Sequence, residues 1–408
     1  MPRPTEPPAD IAVDGESARL AVLTACACVL QVAESMLPHP IPGVRFGLAN
    51  LITLIVLTRT GAAAAFKITV LRTLVSSLVL GTFLGPSFLL SLSGGLVSTG
   101  VSVLLDRLSV GRSPVRFSLV GISVAGSTAH VLTQVTIVYL VLVPNGGIWL
   151  LWPWLALSAL VMGVLTGVIA MRVSKHLDAG AEQEPVHVGS VEQVSPQGRF
   201  VPGKSPLHRA PAAAKIVAVA AIAIALVFVK SFLFHAAVLA LLLAATLVAR
   251  PRLSGLGRNF KRLASLLLVS LLIPVAFTPW GRVLFRLGPL TVTVEGVLFG
   301  ALFASRLALM FLATALLAAT TAPQDIAAGL ERLLAPLRIV RVSPNRLATT
   351  LGLAWAYFPV LWDEARRLIG RRRRERWLDR LVHLPVDVVV DLYRLADSAD
   401  EPSATGSG

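Results

Sequence analysis

Charge is what this chain of 408 residues has least of. Asp, Glu, Lys and Arg together make 14% of it, where a soluble domain carries about a quarter. Acids are the scarcer sign, 22 against 37 basic residues, for a net charge of +15. Cysteine is nearly absent, which excludes a disulfide framework. Cys26 and Cys28 lie two residues apart in one apolar run, point in different directions on a helix, and suit neither a bridge nor a metal clip. They read as lipid-facing or packed thiols. Aromatics are sparse, and no aromatic-interleaved basic fold excuses the positive charge as nucleic-acid binding. The opening MPRPTEPPADIAVDGES has no basic region followed by an apolar core and cleavage site, so it reads as a cytoplasmic tail, not a processed signal.

Apolar residues, by contrast, make 55% of the sequence, and the mean hydropathy is +0.76. Such a composition demands repeated segments of roughly 20 apolar residues, the length that crosses a bilayer. The expected fold is an all-α polytopic membrane protein in two blocks, separated by a polar linker over 173–207. The first block, 18–172, holds six expected spans, near 18–37, 47–66, 68–84, 87–105, 118–143 and 150–172. With the N-terminus in the cytoplasm, Arg59, Lys67, Arg107, Arg112, Arg116, Arg172 and Lys175 all fall inside, as the positive-inside rule requires.

The second block, 208–395, offers spans near 212–230, 233–249, 263–278 and 293–320, with Arg250, Arg252, Arg258, Lys261 and Arg262 in an inner loop. Its pattern then changes. Ile326, Leu330, Leu333, Leu334 and Leu337 recur at helical spacing among charges, which predicts an amphipathic cytosolic helix, with Thr321 and Gln324 as its capping box. A run from Leu347 to Trp362 leads into a basic helix carrying Arg366, Arg367, Arg371, Arg372, Arg373 and Arg374. Asp387 and Asp391 make the last run, 384–395, a poor span, and 396–408 reads as a disordered tail. The basic loops make anionic membrane lipids the default partner, and nucleic acid is not expected.

The linker holds GRFVPGKS, Gly198–Ser205, the spacing of a nucleotide phosphate loop. That loop must follow a buried strand and open a helix, whereas VEQVSPQ precedes it and Pro206 follows. An ordinary basic linker is the better reading.

Polar residues inside spans are expensive, about 2.5–3.5 kcal/mol for a charge at a helix centre. Glu34, Arg45, Asn50, Arg72, His130 and Gln134 are candidates to line a cavity for an anionic or polar small molecule, with His130 and Gln134 one turn apart on one face. The competing reading is that they hydrogen-bond across helices to hold the bundle. Gly81, Gly85, Gly94 and Gly95 read as points of close helix approach.

Through ESMLPHPIPGVRFGLANLITL, LGTFLGPSFLLSLSGG and AHVLTQ, the first block resembles the Gx transporter family, also labelled heptaprenyl diphosphate synthase component I. That family resembles the six-span substrate-binding, or S, components of energy-coupling factor transporters. The synthase label would demand aspartate-rich pairs that bind a diphosphate through magnesium, and the block has none. From about Lys204 the chain resembles the CbiQ-like T component of the same transporters, in SPLHRAPAAAK, TTAPQDIAAGLERLLAPLR and AYFPVLWDEARRLIGRRRRER. The resemblance implies coupling helices ending in Ala-Arg-Gly-like triplets that dock on two cytosolic ABC ATPases. Here the Arg371–Arg374 run replaces the first triplet, and the second is missing.

The combined expectation is an S–T fusion in the plasma membrane, not itself an enzyme, that binds no metal or cofactor of its own. It would capture a small solute, such as a vitamin, cofactor precursor or isoprenoid-related molecule, while separate subunits use ATP. The rival expectations are a membrane subunit supporting polyprenyl diphosphate or quinone synthesis, and an ATP-independent secondary carrier.

Overall fold

A computed structural model describes residues 15–36, 47–80, 82–110, 117–143, 145–179, 205–249, 256–288, 290–335 and 344–371, with 386–387, 389–391 and 393. The described residues are all-α apart from one hairpin. Among them, seven helices are long and apolar enough to cross a membrane, and three shorter apolar helices accompany them.

The first block forms six helices: α1 (Gly15–Met36), α2 (Leu48–Thr60), α3 (Ala62–Leu80), α4 (Pro86–Val110), α5 (Leu119–Ile137) and α6 (Trp152–Ala179). A π-helical turn, Val138–Leu142, extends α5, and a 3₁₀ turn, Gly146–Leu151, opens α6. Bonds between ends give the directions. Lys67 Nζ meets Glu16, Arg59 pairs with Asp178, and the Phe117 amide donates to Ser109 Oγ at 3.0 Å. These contacts gather the start of α1, the α2–α3 turn, the α4–α5 turn and the end of α6 at one end of the bundle. The end of α5 is therefore at the other.

One expected span is cut short. The reading of 47–66 gave way to a 13-residue helix, because Gly61 adopts φ +101°, a conformation open to glycine that turns the chain into α3 at once. At 1.5 Å per residue such a helix is about 20 Å long, shorter than the roughly 30 Å hydrocarbon core. At the far end of the block, α6 runs seven residues into the expected linker, as far as Ala179.

The second block contains α7 (Pro206–Arg209), α8 (Ala212–Phe228), α9 (Phe232–Ala249), α10 (Leu256–Phe277), β1 (Val283–Leu287), β2 (Leu290–Thr293), α11 (Val294–Thr320), α12 (Pro323–Leu334) and α13 (Pro344–Arg371). Arg258, Lys261 and Arg262, expected in a loop, lie in the first turns of α10. The β1–β2 hairpin was not anticipated. Leu287 pairs with Leu290 across a two-residue turn whose Gly288 has φ +59°, the positive φ that tight hairpin turns favour. Thr293 then caps α11, its Oγ1 accepting from the Gly296 amide at 3.1 Å and donating to the Thr278 carbonyl at 2.8 Å.

The expected amphipathic helix is α12, but the capping box is not made. Ala322 is the N-cap, Pro323 occupies the first turn, and the buried Thr321 hydroxyl has no partner among the described residues. Proline suits that position because its missing amide donor would be unsatisfied anyway. Gly329 lets α12 lie directly on the start of α8, since a Cβ there would sit 2.9 Å from the Ala213 nitrogen. Lys215 Nζ donates to the Thr320 carbonyl at 3.0 Å, tying α8 to the end of α11 just above this contact.

The two blocks share one core. Residues Leu20–Leu30 of α1 are all buried, and the apolar cluster they belong to continues through α2 and α3 into Leu351, Ala354, Trp355, Leu361 and Ala365 of α13. Ala21, Ala25 and Cys28 are fully buried, so small residues give α1 the close approach that helix packing in lipid requires. Of the two readings of the thiols, packing is the one observed: both are buried and neither is in a disulfide.

Candidate solute site and coupling interface

Two places in this fold concern function: a polar network with a small cavity inside the six-helix bundle, and the seam where α1 meets α13.

Glu34 sits near the end of α1, 4% exposed. Its Oε1 accepts from the Gly47 amide at 3.0 Å and its Oε2 from the Leu48 amide at 3.1 Å. It therefore caps α2 across the intervening loop, where a carboxylate also meets the positive end of the helix dipole. Gly47 takes φ +74° to present its amide. Asn50, one turn into α2, accepts a 2.5 Å bond from Arg72 Nη2 of α3. The Arg72 carbonyl in turn accepts from Cys28 Sγ at 3.5 Å, so Arg72 is held from both its backbone and its head.

Gly94 and Gly95 of α4 separate this network from the other candidates. A Cβ on Gly95 would lie 3.7 Å from Arg72 Nη2, and one on Gly94 would lie 3.0 Å from the His130 ring. His130 and Gln134 of α5 thus approach α4 on the face next to the one that meets Arg72, with Gln134 Nε2 donating to the Leu90 carbonyl at 3.3 Å. The fold brings Glu34, Asn50 and Arg72 into one region and places His130 and Gln134 on the neighbouring face of α4. Arg45 lies outside the described residues.

Sequence reasoning missed the cavity beside Asn50. Asn50, Thr53, Leu54 and Leu57 of α2, Ser98, Thr99 and Ser102 of α4, and Ser123, Gly126 and Ser127 of α5 line it. About 20 Å³ is open to the centre of a water molecule, room for one or two waters and no larger solute. Thr99 Oγ1 is spoken for by Thr69 Oγ1 at 2.9 Å, while the Thr53 hydroxyl, on a residue 7% exposed, has no partner among the described residues. Serines four apart, at 98 and 102 and at 123 and 127, are the signal that pointed here. They share a helix face, and hydroxyls in apolar helices are easily read as mere packing residues.

At the seam, α13 carries the coupling candidates away from the core. Arg366 is exposed, with its guanidinium carbon 4.8 Å above the Trp362 ring, and Arg367 beside it is exposed too. Arg371 is the last residue of α13; its side chain, like Arg372, Arg373 and Arg374, lies outside the described residues. Beyond α13, Val386, Val389, Val390 and Tyr393 are buried in the core shared with α1. Tyr393 is 1% exposed; its hydroxyl accepts from Arg19 Nη2 at 3.1 Å, and Arg19 and Arg59 each stand 6.0 Å from its ring centre. The final apolar segment thus packs on the start of α1.

The comparisons with known proteins divide at the same seam. Residues 23–173 match the family model described as heptaprenyl diphosphate synthase component I, and residues 203–372 match that of the cobalt transport protein CbiQ. An energy-coupling factor transporter transmembrane protein, EcfT, of Listeria innocua is 33% identical over 211 residues, which cover 49% of this chain and 79% of the relative. The chain belongs to the EcfT family. EcfT proteins of Brevibacillus brevis and Thermosediminibacter oceani agree, the first 31% identical over 172 residues (42% of this chain, 65% of the relative), the second 28% over 211 (49% and 79%). The chain is thus a multi-pass plasma membrane component of an energy-coupling factor transporter, with an S-component-like part fused ahead of its EcfT part. As such a membrane subunit it is not itself an enzyme.

Proposed function

We propose that the six-helix half captures a small solute and that the EcfT half couples its import to ATP hydrolysis by two separate cytosolic ATPases. The observation that carries this reading is the burial of α1, the first helix of one half, along α13, the helix of the other half that ends in arginines. A push on the end of α13 moves α1 with it, because a packed apolar seam transmits displacement instead of absorbing it. Arg366 and Arg367, with Arg371, Arg372, Arg373 and Arg374, would meet the ATPases through charge-assisted bonds.

Asn50, Arg72 and the hydroxyls of Thr53, Ser98 and Ser102 would contact the solute, with Arg45 as a further recognition residue and His130 and Gln134 supporting α4. Because the cavity admits only water-sized groups, solute binding would require α2, α4 and α5 to part around it. Glu34 supports the site by fixing the start of α2. The N-terminus would lie in the cytoplasm, since the end of the bundle holding the start of α1 also holds Arg19, Arg59, Lys67, Arg107 and Arg172, and positive residues favour that side. Anionic lipids would surround those groups.

The experiment is to purify the chain in mild detergent from its own cells and identify co-purifying proteins by mass spectrometry. Two related ATPases are expected. A soluble prenyl synthase in their place would support the biosynthetic reading that accompanies the first family model, and uptake that persists without the ATPases would support a secondary carrier.

A further inference from the structure

The halves meet a second time, at the end of the bundle away from Tyr393, and that contact is built around one cation. Arg306 lies at the middle of α11 and is 1% exposed. Its Nη1 donates to the carbonyls of Val141 and Leu142 at 3.0 and 3.3 Å, and its Nη2 to that of Val227 at 3.0 Å. Its guanidinium also stands 5.4 Å from the Phe303 ring centre. Among the described residues no carboxylate pairs with it.

All three acceptors are carbonyls at helix ends. Val227 is in the last turn of α8, which stops at Phe228, and Val141 and Leu142 close the π turn that ends α5. Such carbonyls have no partner within their own helix and carry the negative end of its dipole. Away from water each would be costly alone, and so would a lone arginine. The three carbonyls and the two terminal nitrogens of Arg306 satisfy one another, and they come from different halves of the chain.

Around the cation, Leu142, Val143 and Ile148 of the first half pack on Ile273, Phe303 and Leu307 of the second. Asn145 Nδ2 donates to Thr278 Oγ1 at 3.2 Å, and Gly147 lies so close to Phe277 that a Cβ would fall 2.5 Å from its ring. This patch is small, and it depends on directional bonds that fail with a displacement of about 1 Å. The α1–α13 seam belongs to the much larger continuous apolar core and has no such dependence.

We propose that Arg306 is a latch between the two halves: it holds the end of α5 against α11, and its release lets the solute-capturing half turn about the α1–α13 seam. Arg306 is a positioning residue, acting on the solute site through the whole half that it holds.

The test crosslinks Asn145→Cys with Thr278→Cys in the full chain, in lipid nanodiscs with its ATPases, using a short bifunctional thiol reagent. Cys26 and Cys28 are fully buried, and buried thiols stay unreactive. With Arg306 intact the pair should link in good yield. Arg306→Met should lower the yield on the order of tenfold, the loss expected for bonds to a charged donor. Arg306→Lys, whose single ammonium cannot span both helix ends, should fall between. Magnesium-ATP should lower the yield in the unmodified latch; this arm alone rests on the coupling reading. If Arg306→Met disperses poorly, Gly147→Leu separates the same faces with the cation kept, and should lower the yield likewise. A yield unchanged by both substitutions overturns the latch, and a yield indifferent to magnesium-ATP overturns its release.

Discussion

Gly167 and Gly352 should respond to the same substitution with opposite signs. Both lie inside helices, where replacing glycine by alanine gains about 1 kcal/mol of helix propensity. At Gly352, on α13, an added Cβ meets nothing within 4 Å, so most of that gain survives and Gly352→Ala should stabilise by about 0.5–1 kcal/mol. At Gly167, on α6, the Cβ would fall 2.7 Å from the Val120 Cα, 3.1 Å from the Ser123 Cβ and 3.3 Å from the Val120 Cβ. Carbon atoms rest about 3.5–4.0 Å apart, and a backbone atom has no rotamer with which to step aside. Helices α5 and α6 must therefore separate by roughly 1 Å there, an overpacking cost of about 1–3 kcal/mol, set against the same propensity gain. The net is a loss of up to about 2 kcal/mol. Gly163, one turn away, would place a Cβ 2.8 Å from the Val124 Cα. A single separation relieves both clashes, so Gly163→Ala with Gly167→Ala should cost less than the two apart. Thermal unfolding of the purified chain in one detergent reads all four proteins, with shifts on the order of a few degrees. Should Gly167→Ala melt at or above Gly352→Ala, the close approach of α5 and α6, and with it the wall of the hydroxyl-lined cavity, would be refuted.

Removing the cap on α2 with Glu34→Ala should cost about 1–2 kcal/mol, because two amides lose their acceptor; Glu34→Gln, which keeps one oxygen, should cost less, and equal melting points for the two would discredit the cap. Tyr393→Ala should free the last segment from Arg19, so that limited proteolysis removes the C-terminus faster than in Tyr393→Phe, which keeps the ring between Arg19 and Arg59; equal rates would show that the ring does not hold the segment. Reversing charge with Arg366→Glu and Arg367→Glu should reduce ATPase co-purification severalfold while leaving the melting point unchanged, since exposed side chains contribute within about 0.5 kcal/mol to folding; undiminished co-purification would remove them from the coupling surface. Thr53→Val with Ser98→Ala should weaken solute binding at an unchanged melting point, measured once mass spectrometry of the native chain has identified what it carries; unaltered affinity would take the cavity out of the recognition site.

Several features of the candidate sites were legible in the residues and others were not. Arg72, Asn50 and Glu34 stood out because ionisable and amide groups in apolar runs are costly, and the fold does bring them to one region. What each does there was invisible, since Glu34 reaches its partners, the amides of Gly47 and Leu48, across a loop. The hydroxyl cavity escaped notice because serines four apart on an apolar helix read first as small packing residues. Arg306 carried the same signal as Arg72, a charge inside an apolar run, but its partners are backbone carbonyls at positions 141, 142 and 227, which no side-chain pattern records. The capping box failed because Pro323, two residues past the expected cap, fixes the start of α12 instead.

Composition and periodicity by themselves determined that this chain is a bundle of membrane helices in two blocks with an amphipathic α12, because the lengths of apolar runs and the 3.6-residue repeat are local properties. Tertiary structure alone decided that α1 is buried by α13, that Tyr393 returns to Arg19, and that Arg306 closes the ends of α5 and α8. Each of these joins residues separated by at least 79 positions, and which distant surfaces meet is settled by how whole helices pack, not by any pattern within one of them.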